Sequence, residues 1–202
     1  DSLIDSKYLK NRFLERYIQE EIIYAKAPNH LNHINQLIEN HDFSASEEKR
    51  LKSLVNFQSN LIVNANLKHI KIKTKDFKTH QLEDVMNKKQ SVVYSWSVES
   101  PSHHKLRIKK IEELKETYPE IQFIGINIDY QKPDKWLDAV NFYDSNINNE
   151  FLIIPEKNAP YYRNYLNKIF FLDKNCEIKK SEIILSNKDF DKHLESFVLS
   201  QK

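Results

Sequence analysis

The sequence is poor in the residues on which most reactive sites depend. Its 202 residues hold one cysteine, Cys176, and one glycine, Gly125. A single thiol excludes an intrachain disulfide and any dithiol–disulfide cycle run by this chain by itself. It neither requires nor excludes an oxidising compartment. A phosphate-cradling loop needs backbone approach at several glycines, so mononucleotide and dinucleotide fingerprints are excluded. Left-handed turn positions must fall to other residues, and the abundant asparagines tolerate them best. No apolar run approaches the roughly 20 residues needed to cross a bilayer. Charge is balanced at +2 with both signs interspersed, so electrostatics do not point to nucleic acid. Residues 1–6 lack the charged start and apolar core of a signal peptide and read as the first turn of a helix, which predicts a mature or trimmed chain.

What is present suits a soluble globular protein, with 40% hydrophobic and 30% charged residues. The periodicity changes near residue 66. Before it, Tyr8/Leu9, Phe13/Leu14, Tyr17/Ile18 and Ile22/Ile23 form a broad helical stripe. Pro28 ends it, Leu31, Ile34, Leu37 and Ile38 mark a second helix, and Ser46 with Glu47 and Glu48 is read as the cap of a third. Residues 1–66 are thus predicted as a helical segment and 67–202 as an α/β domain.

In that second part, Ile70 and Ile72 alternate with lysines in a short strand, and the lysines from Lys68 to Lys78 suit a solvated sheet edge. Residues 91–96 and 121–128 read as buried strands flanking a helix over 101–117, whose apolar positions are taken as Leu106, Ile108, Ile111 and Leu114. A helix from Pro133, two strands around the turn 173–176 and a last helix over about 188–199 complete the order β-α-β-α-β-β-α.

Four stretches in this order carry a resemblance. They are Tyr94-Ser95-Trp96-Ser97, the helix opened by Ser100-Pro101, Phe123-Ile124-Gly125-Ile126-Asn127-Ile128-Asp129, and Phe170-Phe171-Leu172-Asp173-Lys174-Asn175. Residues from about 68 to 200 resemble a thioredoxin-like domain of the bacterial TlpA/ResA type. The resemblance implies a central mixed sheet flanked by helices, with 1–66 as the helical segment that precedes the redoxin domain in many members. It also implies the bacterial periplasm or cell envelope.

The family's Cys-x-x-Cys opens the helix after the first central strand, where backbone amides and the helix dipole stabilise a thiolate. Its place here is held by Ser100-Pro101-Ser102-His103. Ser100 stands where the attacking cysteine would be and His103 where the resolving one would be. A serine hydroxyl is not ionised near neutral pH and forms no mixed disulfide. The cis-proline position corresponds to Asn167, where a cis bond would cost roughly 3–4 kcal/mol, so a trans peptide and an altered groove are expected. No catalytic residue is therefore expected. Ser100 with His103 could form a nucleophile and base, but no third orienting acid is identifiable, and Ser-Pro is also a favoured helix start.

Cys176 falls in the hairpin turn, where the family commonly has glycine. It reads as an inert turn residue, or as one end of an intermolecular disulfide. His30/His33 and the adjacent His103/His104 lack further ligands, so solvated histidines and no metal are expected. No cofactor is expected either. Trp96, Glu99, Ser100, His103, Trp136, Tyr165 and Asn167 are the candidate binding residues, with Tyr161 and Tyr162 near Tyr165. For Trp96, Trp136 and the tyrosines the competing reading is ordinary core. The leading expectation is a redox-inactive thioredoxin-like protein that binds or scaffolds another protein. The alternative is a divergent oxidoreductase working with a partner's cysteine or Cys176. Self-association through the N-terminal helices is a third reading, because their apolar stripes need a cover.

Overall fold

The structure, a computed structural model, describes residues 6–143, 149–155, 168–182, 185 and 189–200. It divides into two compact units, with the break between Ala65 and Asn66.

The first unit holds helices α1 (Ser6–Tyr24), α2 (Pro28–Glu39) and α3 (Ala45–Ser59). Ile18 and Ile22 of α1, Leu31, Ile34 and Ile38 of α2, and Leu51, Leu54 and Val55 of α3 are buried. Pro28 occupies the first turn of α2, where its missing N–H costs no hydrogen bond. Ser44, rather than the expected Ser46, caps α3. Its hydroxyl accepts from the Glu47 N–H, and the Glu47 carboxylate accepts from the Ser44 N–H. This reciprocal box needs its partner three residues on, which Ser44 has in Glu47. The buried Glu15 is paired with Arg12 and Arg50, which offset its charge.

The second unit is built on one seven-stranded sheet in the order β2-β1-β5-β4-β3-β6-β7. In sequence these are β1 (Lys71–Lys73), β2 (Thr79–Gln81), β3 (Ser91–Trp96), β4 (Gln122–Asn127), β5 (Glu150–Ile153), β6 (Ile169–Leu172) and β7 (Ile178–Glu182). Between them lie α4 (Leu82–Met86), α5 (Pro101–Thr117) and α6 (Pro133–Phe142), and α7 (Phe190–Leu199) closes the chain. β3, β4 and β5 run parallel; β1 pairs antiparallel with β5 and β2, and β6 with β3 and β7. The mixed sheet with flanking helices is the predicted class. β2, α4 and β5 were not anticipated. β2 takes the sheet edge that the lysine pattern assigned to the first strand, leaving β1 inside with Ile72 fully buried.

The crossovers β3-α5-β4 and β4-α6-β5 step the same way across the sheet, so their common hand puts α5 and α6 on one face. Packing agrees. Val92, Tyr94, Trp96, Phe123, Leu152, Ile169 and Phe171 of that face form one core with Ile111 and Leu114 of α5, Trp136 and Val140 of α6, and Phe190 and Leu194 of α7. Val93, Ile124, Ile126, Phe151 and Ile153, which alternate with them along the strands, are buried on the other face. Central strands covered on both faces read as continuous apolar runs, which is why β3 and β4 were visible in the sequence.

Five described residues other than glycine adopt positive φ: Asn64, Phe77, Asn87, Lys88 and Cys176. Two are the asparagines that the scarcity of glycine leads one to expect. Cys176, at φ 63°, holds a left-handed turn position, the conformation that glycine adopts without strain.

Candidate functional site

The site in question is the carboxyl end of β3 and the start of α5. After Trp96 the chain turns through 97–100 and enters α5 at Pro101. This turn is fastened to the loop after β4. One carboxylate oxygen of Asp129 accepts from the Ser97 hydroxyl (2.7 Å) and from the Val98 N–H (2.8 Å). The Ser97 hydroxyl oxygen then accepts from the Glu99 N–H at 3.1 Å, and Glu99 pairs with Lys132. The Lys132 ammonium holds the exposed Glu99 carboxyl below its usual range. Asp129 was visible in the sequence as the end of a strand, with nothing to mark it as the fastener.

Ser100 sits at the cap position of α5, but its hydroxyl makes no bond to the first-turn amides, contrary to the capping reading. Its carbonyl accepts the His104 N–H at 3.1 Å. Pro101, Ser102 and His103 form the first turn of α5. Tyr165 and Asn167, with Tyr161 and Tyr162, lie outside the described residues, as does the Leu166-Asn167 peptide.

The candidates Trp96 and Trp136 are both fully buried, so their indoles belong to the core and not to an exposed surface. His104 is also buried, which corrects its reading as a solvated histidine. It shares the sheet-facing side of α5 with Ile108, Ile111 and Leu114, at helical spacing. Leu106 is out of phase with that stripe and stands exposed. The His104 ring stacks on the Trp96 indole, with centroids 3.6 Å apart and planes 10° from parallel, and meets Tyr143 edge-on at 5.2 Å. Neither ring nitrogen has a hydrogen-bond partner among the described residues. Burial, reinforced by the charge of Arg107, lowers its pKa to about 3, so the ring is neutral.

Beneath Trp96 lies a group that the sequence reading passed over. Tyr94, Gly125 and Glu150 are side by side on β3, β4 and β5. The buried Glu150 carboxyl reaches over the glycine, accepting from the Tyr94 hydroxyl on one oxygen and from Trp96 Nε1 on the other at 2.9 Å. A Cβ at position 125 would stand 2.5 Å from the Glu150 carboxyl carbon, which accounts for the chain's one glycine. Burial raises the Glu150 pKa to about 7, against the lowering effect of its two donors and of the Lys115 and Arg107 charges. The signals available were a lone glycine in an apolar strand and a glutamate opening the run Glu150-Phe151-Leu152-Ile153.

Cys176 is buried, with Sγ 3.4 Å from Met86 Sδ, and burial pushes its thiol up to about 11. A thiol held protonated in this way is a poor nucleophile. Lys168, beside the Asn167 position, is lowered to about 8 by burial, and its carbonyl accepts from the Ser95 N–H and hydroxyl. His30 is paired with Glu21 at 3.0 Å. Among the described residues no group of three His, Cys, Asp or Glu side chains could hold a metal ion, and no helix is long and apolar enough to cross a membrane.

Two measurements probe this arrangement. Gly125→Ala is expected to destabilise the chain by about 1–3 kcal/mol, the usual cost of overpacking, in urea unfolding. Adding Glu150→Ala should recover part of the loss, so that the double variant is less destabilised than the sum of the singles. For His104 the folded pKa lies below the ordinary histidine value of 6.5, so the unfolded chain binds the extra proton. Stability is therefore lost as pH falls from about 6.5 towards about 3. His104→Phe, which keeps a ring against Trp96, should flatten that part of the stability–pH curve.

No family model matches the sequence, and no curated protein does. Solved structures match by shape. The thioredoxin domain of a thiol-disulfide oxidoreductase from Bacteroides vulgatus aligns with a TM-score of 0.56 at 17% identity, covering 68% of this chain and 99% of that one. A thiol peroxidase from Chromobacterium violaceum aligns at 0.54 and 15%, covering 69% and 88%. A SCO1/SenC family lipoprotein from Bacillus anthracis aligns at 0.53 and 14%, covering 69% and 96%. The similarity is one of fold: the sheet unit of this chain is thioredoxin-like.

Proposed function

We propose that this chain is a redox-inactive thioredoxin-like protein, acting as a binding or scaffolding module for another protein in the bacterial cell envelope. The observation that carries this reading is the state of its one thiol. Cys176 is buried against Met86 with a raised pKa, while the helix start where the fold's chemistry is done begins with Ser100. A hydroxyl there supplies neither the nucleophile nor the leaving group of thiol–disulfide exchange. What remains is a shaped surface, the turn 97–100 held by Asp129 with Glu99 exposed beside it. Glu99, Ser100, His103, Tyr165 and Asn167 are its proposed contact residues. The envelope assignment draws on the TlpA/ResA resemblance and fits a structural neighbour described as a lipoprotein.

Insulin-disulfide reduction with dithiothreitol is the test. The wild-type chain is expected to run at the rate of the reductant alone, and Cys176→Ser to match it. Turnover comparable to an ordinary thioredoxin would overturn the proposal, and its loss in Cys176→Ser would make that thiol the nucleophile.

Self-association is a second reading, favoured by α1. Leu9, Phe13, Tyr17 and Tyr24 lie along one side of that helix and are 41–73% exposed. Solution mass measured over a range of concentrations should rise above the 24.2 kDa monomer, and Phe13→Lys with Tyr17→Lys should return it. A mass that stays monomeric throughout would exclude this reading.

A further inference from the structure

Among the described residues, the Glu150 carboxyl is the one acidic group set inside the apolar layer between the sheet and α5. Both of its oxygens are engaged, one by a hydroxyl that can donate or accept, the other by an indole N–H that can only donate. Tyr94 can thus share a proton with Glu150 in either direction, whereas Trp96 remains a donor in both states. The Trp96 bond is stronger to a carboxylate than to a neutral acid, because charge-assisted hydrogen bonds are about twice as strong. Trp96 is in turn stacked face to face on His104 in α5.

We infer that Glu150 is a buried proton-binding site whose occupancy is passed through the Trp96 indole to His104 on α5. The groups facing it set its balance. From α5, Arg107 and Lys115 favour the charged carboxylate, and Glu112 opposes ionisation of Tyr94. From β1, Lys73 stands opposite Leu152, two positions along β5. α6 and α7 contribute Trp136, Val140, Phe190 and Leu194 to the layer. Burial outweighs the cations and lifts the carboxyl to about 7 from the ordinary glutamate value of 4.5. The folded chain therefore holds this proton more tightly than the unfolded chain. The stability it contributes is full below about 4.5 and is lost as pH rises through about 7. The proton site is independent of what the α5 end binds and of whether the chain has redox activity.

The test uses the full chain labelled with 5-fluorotryptophan, which gives one fluorine resonance each for Trp96 and Trp136. The Trp96 resonance is expected to shift in a one-proton transition centred near 7, with Trp136 unmoved. Glu150→Gln should hold it constant, and His104→Phe should leave the transition in place, excluding the histidine as its source. An unchanged titration in Glu150→Gln, or no shift in the folded wild type, would overturn the inference. Should Glu150→Gln fail to fold, infrared difference spectra of the wild type decide. A protonated-carboxyl band that disappears with the same midpoint as the Trp96 shift supports it, and the absence of such a band overturns it.

Discussion

A carboxyl group lies over the middle strand of the sheet, in a layer made largely of apolar and aromatic side chains. Removing such a group from water costs several kcal/mol unless it is bonded, and Glu150 is bonded at both oxygens. Those two bonds impose conditions on three strands at once. β4 must present no side chain, which only Gly125 satisfies. β3 must bring Tyr94 and Trp96, two residues apart, to the same face. β5 must start at Glu150, in line with Gly125. A one-residue slip of any of the three would turn a partner to the opposite face and leave the carboxyl unpaired. Register in the parallel part of the sheet is thus specified by a polar contact as well as by apolar pattern.

The same contact reaches the start of α5. With its N–H fixed on Glu150, the Trp96 indole offers a flat face on which His104 stacks, and Arg107, one turn further on, donates to the Ser95 carbonyl at 2.8 Å. Asp129 and Lys132 tie down the turn ahead of the helix. The helix start is therefore well anchored, although no thiol is there. Fold and chemistry are separable wherever one scaffold carries many functions. The scaffold positions a helix terminus in space, and whether that terminus reacts depends on the residue placed on it. Here that residue is Ser100, and the turn leading to it is held by Asp129.

Much of this architecture was legible in the sequence, and the rest was hidden for identifiable reasons. β3, β4 and β6 are runs of β-branched and aromatic residues buried on both faces, and α5 begins at a proline, so their types and near-exact limits could be read. β2 and β5 were not, because Thr79-His80-Gln81 lacks any apolar alternation and Glu150 sits at the head of a four-residue strand as an unexpected charge. Leu106 and His104 exchange the roles their chemistry suggests. Hydrophobicity placed the leucine inside, yet helical phase puts the histidine on the face with Ile108 and Ile111 and the leucine in water. At the candidate site Ser100 and His103 were singled out by the family resemblance alone. The supports, Asp129 on the turn and Glu150 under Trp96, could not, since each becomes meaningful only when strands distant in sequence are adjacent.

Two titratable groups with opposite habits meet at Trp96, and both are held neutral by burial. His104 resists gaining a proton and Glu150 resists losing one, so the indole has an uncharged ring on its face and an uncharged acid at its edge in mildly acidic solution. Between the ordinary values of 4.5 for the acid and 6.5 for the histidine their effects on stability run in opposite directions. Acidification weakens the fold through His104 and favours it through Glu150. Above about 7 the histidine has no further part, and only the carboxyl changes state. The charge that then appears is inside the core, with Arg107 and Lys115 the facing cations identified on α5. Within this pair the response to alkaline pH thus begins at Glu150 on β5, and the inferred path to α5 is the Trp96 indole bonded to that carboxyl and stacked on His104.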